Sequence, residues 1–219
     1  MTDPAVLRRQ PAQDRSAQRL ELILDTTAAL IDELGLNTVS PALVARRARM
    51  SGPAIYRYFS DRDSIIRALA RRNLERFLVA TQQLLSNETL SWQDAIAESV
   101  DMYCRLYRSE PGFAALRFGS GPAARFNETE TNLTVVARST IEHFQPRYEA
   151  WDRPGMLQAV EVMLHLNEAL VDRAFNGDDR EFFISEAKRL SIDYLADFLL
   201  TVPGIPPRPK ASDATIKGE

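Results

Sequence analysis

The sequence predicts an all-α protein: an N-terminal three-helix domain holding a helix-turn-helix, followed by a larger helical domain. Three observations lead there. Apolar residues recur every three or four positions through most of the chain, while no long segment alternates as a strand would and no internal repeat is present. The stretch 40–59, SPALVARRARMSGPAIYRYF, carries two helix-start signals in close succession. No Asp or Glu lies between Glu33 and Asp61, whereas Arg46, Arg47, Arg49 and Arg57 all do.

Residues 1–15 are polar, contain Pro4 and Pro11, and are expected to form a disordered arm. Arg8, Arg9 and Arg15 could make it a basic arm for the DNA minor groove, although a solvated tail explains them as well. A first helix is expected over 16–34, with Leu20, Ile23, Leu24, Thr27, Leu30, Ile31 and Leu34 at helical spacing and Gly35 as its terminator. Ser40 then caps a short helix, with Pro41 at the first helical position, where a missing N–H costs nothing. Leu43, Val44 and Ala48 give this helix one apolar face, which leaves Arg46, Arg47 and Arg49 outside it.

Ser51 can cap again, and Ile55 and Phe59 turn inward together. Ser51, Gly52, Pro53, Ala54, Tyr56, Arg57 and Tyr58 are left pointing elsewhere. Two short helices joined by a tight turn make a helix-turn-helix, whose second helix enters the major groove. A locally basic surface on an otherwise acidic chain suits phosphate. The next helix is expected from Ser60, with Ser60 and Asp63 as its capping box, and runs through Ile65, Ile66, Leu69, Leu74 and Leu78 to about residue 85.

With these residues in place, ILDTTAALIDELGLNTVSPALVARRARMSGPAIYRYFSDRDSIIRAL resembles the N-terminal domain of TetR-family transcriptional regulators. The likeness covers about residues 16–70 and rests on order, spacing and the Ile55-Tyr-Arg-Tyr-Phe59 ending together. Two departures stand out: Arg49 occupies the turn where the family usually has Gly, and Gly52-Pro53 replaces a common Lys-Gly. The resemblance implies base contacts from Ser51, Gly52, Pro53, Ala54 and Arg57. It implies phosphate contacts from Ser40, Tyr56, Tyr58 and Arg62. Arg49 is expected at positive φ, its guanidinium on a phosphate or a helix carbonyl. The resemblance further implies a ligand-sensing and dimerisation domain over 71–202, a homodimer on a near-palindromic double-stranded operator, and a small-molecule ligand of apolar or aromatic character.

Beyond residue 85 the pattern stays helical. A helix over 91–109 carries Trp92, Ile96, Val100, Tyr103 and Tyr107 along one side, and Pro111-Gly112 stops it. A short apolar helix is expected over 113–118, a loop over 119–127, and a helix to about 148 that Pro146 kinks or ends. Helices over 154–176 and 178–201 follow, each apolar on more than one face. One face serves the chain's own core and the second implies a partner, most simply another copy. The expected dimer residues are Leu157, Leu164, Val171, Phe183, Leu190, Tyr194, Leu195 and Phe198. Tyr103, Tyr107, Phe118, His143, His165 and Asn167 are the polar-aromatic candidates for a ligand pocket, although buried tyrosines are more often plain core. The tail 203–219 is Pro-rich and polar, hence expected to be disordered.

Composition narrows the classes. The chain has 219 residues, 45% hydrophobic and 26% charged, with a net charge of -3, so a nucleic-acid site must be local. Its single cysteine, Cys104, makes no internal disulfide, which fits a reducing cytoplasm. No apolar run is long enough to span a membrane, and no apolar signal-peptide core follows the N-terminus. The Asn-x-Thr triplets at Asn87, Asn127 and Asn132 are read as chance. Nucleotide-binding, zinc-protease and redox motifs are missing, and no cofactor or metal is expected. Glu161, His165, Glu168 and Asp172 share one side of a helix and could in principle hold a cation or do acid–base work, but a solvated face is the commoner meaning. The alternatives to a regulator are thus an enzyme, for which no motif speaks, and a helical ligand-binding or adaptor protein with a degenerate DNA-binding domain.

Overall fold

A computed structural model describes residues 10–87, 89–119, 124–127 and 129–200, with side chains from residue 15 onward. Residues 1–9 and the tail 203–219 lie outside it, and so do the expectations made for them. Eight α-helices are present among the described residues: α1 (Gln10–Leu34), α2 (Pro41–Arg47), α3 (Gly52–Tyr56), α4 (Arg62–Leu85), α5 (Trp92–Ser109), α6 (Asn132–Phe144), α7 (Met156–Asn176) and α8 (Arg180–Leu199). The fold is all-α, and no described helix is long and apolar enough to cross a membrane.

The chain divides into two compact units, one of residues up to Leu84 with Asp101–Val135, the other of Leu85–Val100 with residues from Val136 onward. This cuts the chain differently from the expected 16–70 and 71–202, because residues after the middle of α5 join the helix-turn-helix. Leu116 is buried in the same cluster as Ile23, Val44, Ile55, Ile65 and Leu69. Each such fully buried aliphatic side chain contributes about 1.5–3 kcal/mol. Farther along α4, Phe77 meets Tyr103 edge-on at 5.8 Å and Phe118 at 5.4 Å, and Phe113 closes the group 5.5 Å from both Tyr103 and Phe118.

In the second unit Trp151 is fully buried, 4.6 Å from Phe144 and 6.1 Å from Trp92 between ring centres. Around it pack Met156, Val160, Leu195 and Leu199. α7 and α8 lie along each other, and across them the buried Ser191 hydroxyl donates to the Asn167 side-chain oxygen at 2.8 Å.

Several elements differ from expectation for local reasons. α1 starts at Gln10, so part of the expected arm, Arg15 included, is helical. α4 is capped one residue later than expected: Asp61 accepts from the Ser64 N–H at 2.7 Å while the Ser64 hydroxyl accepts from the Asp61 N–H at 3.2 Å, a reciprocal box that displaces Ser60 and Asp63. Residues 113–118 form turns instead of a helix, pinned by their buried Phe113, Leu116 and Phe118. α6 runs only over Asn132–Phe144: Thr131 accepts from the Thr134 N–H at its start, and Pro146 falls beyond its end. α7 begins after Gly155, in the left-handed region at φ 87, not at Pro154.

Candidate nucleic-acid interface

α2 opens as its sequence requires. The Ser40 side chain accepts from the Leu43 N–H at 3.3 Å, and Pro41 sits in the first turn. The helix closes in a Schellman turn, with the Arg49 N–H on the Arg46 carbonyl at 3.3 Å and the Met50 N–H on the Ala45 carbonyl at 2.9 Å. That turn needs a left-handed residue at its pivot. Arg49 supplies it at φ 55, as expected, at a cost of about 1 kcal/mol relative to Gly. Its guanidinium has no ion-pair partner among the described residues.

α3 follows with Pro53 in its first turn; Ser51 is the N-cap residue, but its side chain makes no capping bond. Ile55 and Phe59 are buried against α1 and α4, and this fixes which way the rest of α3 faces. Ser51, Pro53, Tyr56 and Arg57 are exposed, Tyr56 by 58%, while Gly52, Ala54 and Tyr58 are half-exposed. A side chain at Gly52 would meet nothing within 4 Å, so the backbone there is open to close approach. The outer face of the unit therefore presents Arg46, Arg49, Arg57, hydroxyls and backbone, in a stretch with no acid between Glu33 and Asp61.

Two arginines are used as internal braces. Arg47 of α2 is ion-paired with Glu33 of α1. Arg62, expected on phosphate, donates to the Val39 carbonyl at 3.0 Å and the Leu36 carbonyl at 2.8 Å, and pairs with Asp63. It ties the start of α4 to the loop that leads into Ser40. Tyr58 donates to or accepts from Ser16 at 3.4 Å, and Arg57 lies over its ring. The Ser16 hydrogen bond, then Arg57, hold the Tyr58 hydroxyl below its ordinary pKa. A hydrogen bond from the Ser64 N–H, then one from Ser60, lower the Asp61 carboxyl similarly.

The stretch 23–69 matches the family model for bacterial regulatory proteins of the tetR family, and 90–199 matches the model for the tetracyclin repressor-like C-terminal domain, which alone spans half of the chain. The chain belongs to the TetR family. A TetR-family transcriptional regulator from Streptomyces coelicolor is 29% identical and superposes with a TM-score of 0.69, over 82% of this chain and 99% of that one. A TetR-family structure from Syntrophomonas wolfei, at 14% identity, shares the fold with a TM-score of 0.65 over 80% of this chain and 94% of that one. The HTH-type transcriptional regulator BetI of Burkholderia ambifaria is 39% identical over 69 residues, which is 32% of this chain and 35% of BetI. That likeness thus spans about a third of the curated relative's length.

The ligand candidates of this TetR-family chain fall into different surroundings. Tyr103, Tyr107 and Phe118 are buried in the first unit with Phe77 and Phe113. Asn167 is buried in the second unit on Ser191, His143 is half-buried there, and His165 is exposed with its ring nitrogen on its own helix at the Glu161 carbonyl. Glu168 is buried while His165 is exposed, so the two do not converge as an acid–base pair. Asn73 was missed by sequence reasoning. It is 1% exposed, one turn before Phe77 on α4, and its amide nitrogen has no hydrogen-bond partner among the described residues. The signal was a polar residue one helical turn from Leu69 and from Phe77 in an otherwise apolar stripe.

Of the expected dimer residues, Val171 and Leu195 are fully buried within the chain itself, so they belong to its core and not to a partner. Leu157, Leu164, Phe183, Leu190 and Phe198 are half-buried and Tyr194 is exposed by 37%.

Proposed function

We propose that this chain is a cytoplasmic, homodimeric transcriptional regulator without enzymatic activity, reading a near-palindromic operator with α3 of each copy in a major groove. It acts as a repressor until an apolar or aromatic small molecule lowers its affinity for the operator. The observation that carries the reading is the α2–Arg49–α3 unit: a completed Schellman pivot, two buried anchors, and an outward face of Ser51, Pro53, Tyr56 and Arg57 with no acid in the stretch. Base edges would be read by Ser51, Gly52, Pro53, Ala54 and Arg57, and phosphates held by Ser40, Arg49, Tyr56 and Tyr58. The residual exposure of Leu157, Leu164, Phe183, Leu190, Tyr194 and Phe198 supports a dimer through α7 and α8.

Coupling would run through α4. Ile65 and Leu69 pack under the helix-turn-helix, and Phe77 on the same helix joins the aromatic group. A ligand that enters among Phe77, Tyr103 and Phe118, its polar atom taken by Asn73, must displace rings at van der Waals contact and move α4 with them. Two half-sites lie about 34–36 Å apart, so a shift of a few ångströms disengages one of them. The test is a gel shift and footprint on DNA upstream of the chain's own gene, with Tyr56→Ala alongside. Protection of an inverted repeat that Tyr56→Ala loses supports the proposal. Absence of any protected site leaves the helical ligand-binding protein with a degenerate DNA-binding domain as the better reading.

A further inference from the structure

Next to the end of α3 lies an open basin of about 510 Å³ lined by Arg15, Ser16, Arg19, Arg57 and Tyr58. Three arginines and two hydroxyl-bearing residues line it, with no acidic residue among the described lining residues. Arg15 and Arg19 are one turn apart on α1, so they stand on one side of that helix. Both are exposed, as is Arg57, and none of the three has an ion-pair partner among the described residues. The Ser16–Tyr58 contact at 3.4 Å bridges two sides of the basin and joins residues far apart in sequence. Positive charges gathered around one basin raise its local potential and draw an anion to it. Guanidinium groups with hydroxyl donors are the set that takes the oxygens of a phosphate.

We propose that Arg15, Ser16, Arg19 and Tyr58 form a binding site for one backbone phosphate of the duplex, on the strand that flanks the groove occupied by α3, with the base-reading Arg57 at the edge of that site. The site rests on the DNA-binding reading above and extends the interface from the helix-turn-helix onto the first turns of α1. Arg57 and Tyr58 connect the two surfaces: they end α3 and they line the basin. Arg15 and Arg19 read no base; they fix the register of the protein along the duplex.

The test uses the full chain and a fluorescein-labelled 40-base-pair duplex of mixed sequence, with binding followed by anisotropy from 50 to 200 mM KCl. Arg15→Gln/Arg19→Gln is expected to melt like the parent, because both side chains are exposed, and to bind more weakly. Loss of one phosphate contact lowers the slope of log affinity against log salt by about 0.9, which narrows the affinity difference across that salt range by about 3.5-fold. Arg15→Lys/Arg19→Lys restores the slope. An unchanged slope in the glutamine variant, with Tyr56→Ala still weakening binding, overturns the basin and leaves the DNA reading intact. A parent chain that binds no duplex overturns both. Inorganic phosphate is then titrated while the arginine side-chain NMR signals are followed. Saturable shifts at Arg15 and Arg19 with an unchanged duplex slope would give the site to free phosphate and overturn its assignment to DNA.

Discussion

The backbone N–H of Gly112 donates to the Asp32 carboxylate at 2.9 Å, binding the segment that follows α5 to the last turns of α1. The approach is close: a Cβ at position 112 would lie 3.2 Å from the Ala28 Cα, and Gly112 is left-handed at φ 72. Gly112→Ala meets both penalties at once. It should cost about 1–2 kcal/mol through backbone strain and crowding. In a chain of this size that lowers the melting temperature by about 2–8 °C. Asp32→Ala should lose stability while keeping the backbone angles, and calorimetry on the two variants separates strain from the hydrogen bond.

Arg49 offers a stability–binding trade. Arg49→Gly should raise stability by about 1 kcal/mol, since glycine adopts the left-handed pivot without cost. If the guanidinium holds a phosphate, the same change should weaken duplex binding. Urea titration beside anisotropy measures both; a variant that is more stable and binds as before removes Arg49 from the interface.

Arg62 can be assigned by which quantity moves. As a brace on Val39 and Leu36 its loss in Arg62→Ala should cost about 1–2 kcal/mol, a figure set low because the group is partly solvated. The slope of affinity against salt should then stay as it was. A slope lower by about 1 with unchanged melting would return Arg62 to the phosphates.

Leu164→Arg and Leu195→Arg should fail differently. Leu164 is half-buried, so a charge there should yield folded monomers by sedimentation. Leu195 is fully buried in the core of the second unit, and an arginine there should unfold that unit. A folded, dimeric Leu164→Arg protein would count against an α7–α8 interface.

Low pH should loosen the start of α4. The Asp61 carboxyl is lowered by the Ser64 N–H, so its contribution is complete above the ordinary aspartate range and is lost as the pH falls through its depressed value. Asp61→Asn should flatten the pH dependence of stability between pH 5 and pH 2, measured by urea unfolding, relative to the parent.

The sequence was most legible where one residue type has one physical use. Ser40 with Pro41 and Gly35 at the end of α1 sit where local chemistry put them, whereas the left-handed Arg49 was legible only through the family resemblance. The sequence was least legible where two solutions differ by one residue or by tertiary choice. Ser60-Asp61-Arg62-Asp63-Ser64 holds two overlapping capping boxes, and hydrophobic periodicity does not choose between them. α7 and α8 are apolar on two faces, so Val171 and Leu195 looked as available to a partner as Leu164. The helix expected over 113–118 gave way to turns because Phe113, Leu116 and Phe118 are all buried there, a tertiary choice that helical spacing does not show. The basin was invisible because Arg15, read as part of a basic arm, and Arg19, read as plain helix, come together with Tyr58 only when Tyr58 folds back onto Ser16.

The early start of α1 has a further consequence. Residues 15–19 are exposed, and the first fully buried side chain among those described on the helix is Ile23. The stretch 15–19 thus has no buried side chain to hold it, and helix that lacks packing is marginal in water. The amide hydrogens of 15–19 should exchange with solvent far faster than those of residues 23–31. A bound anion at Arg15 and Arg19 would slow that exchange without any change of fold, so occupancy of this end of the molecule can be read residue by residue from deuterium uptake alone.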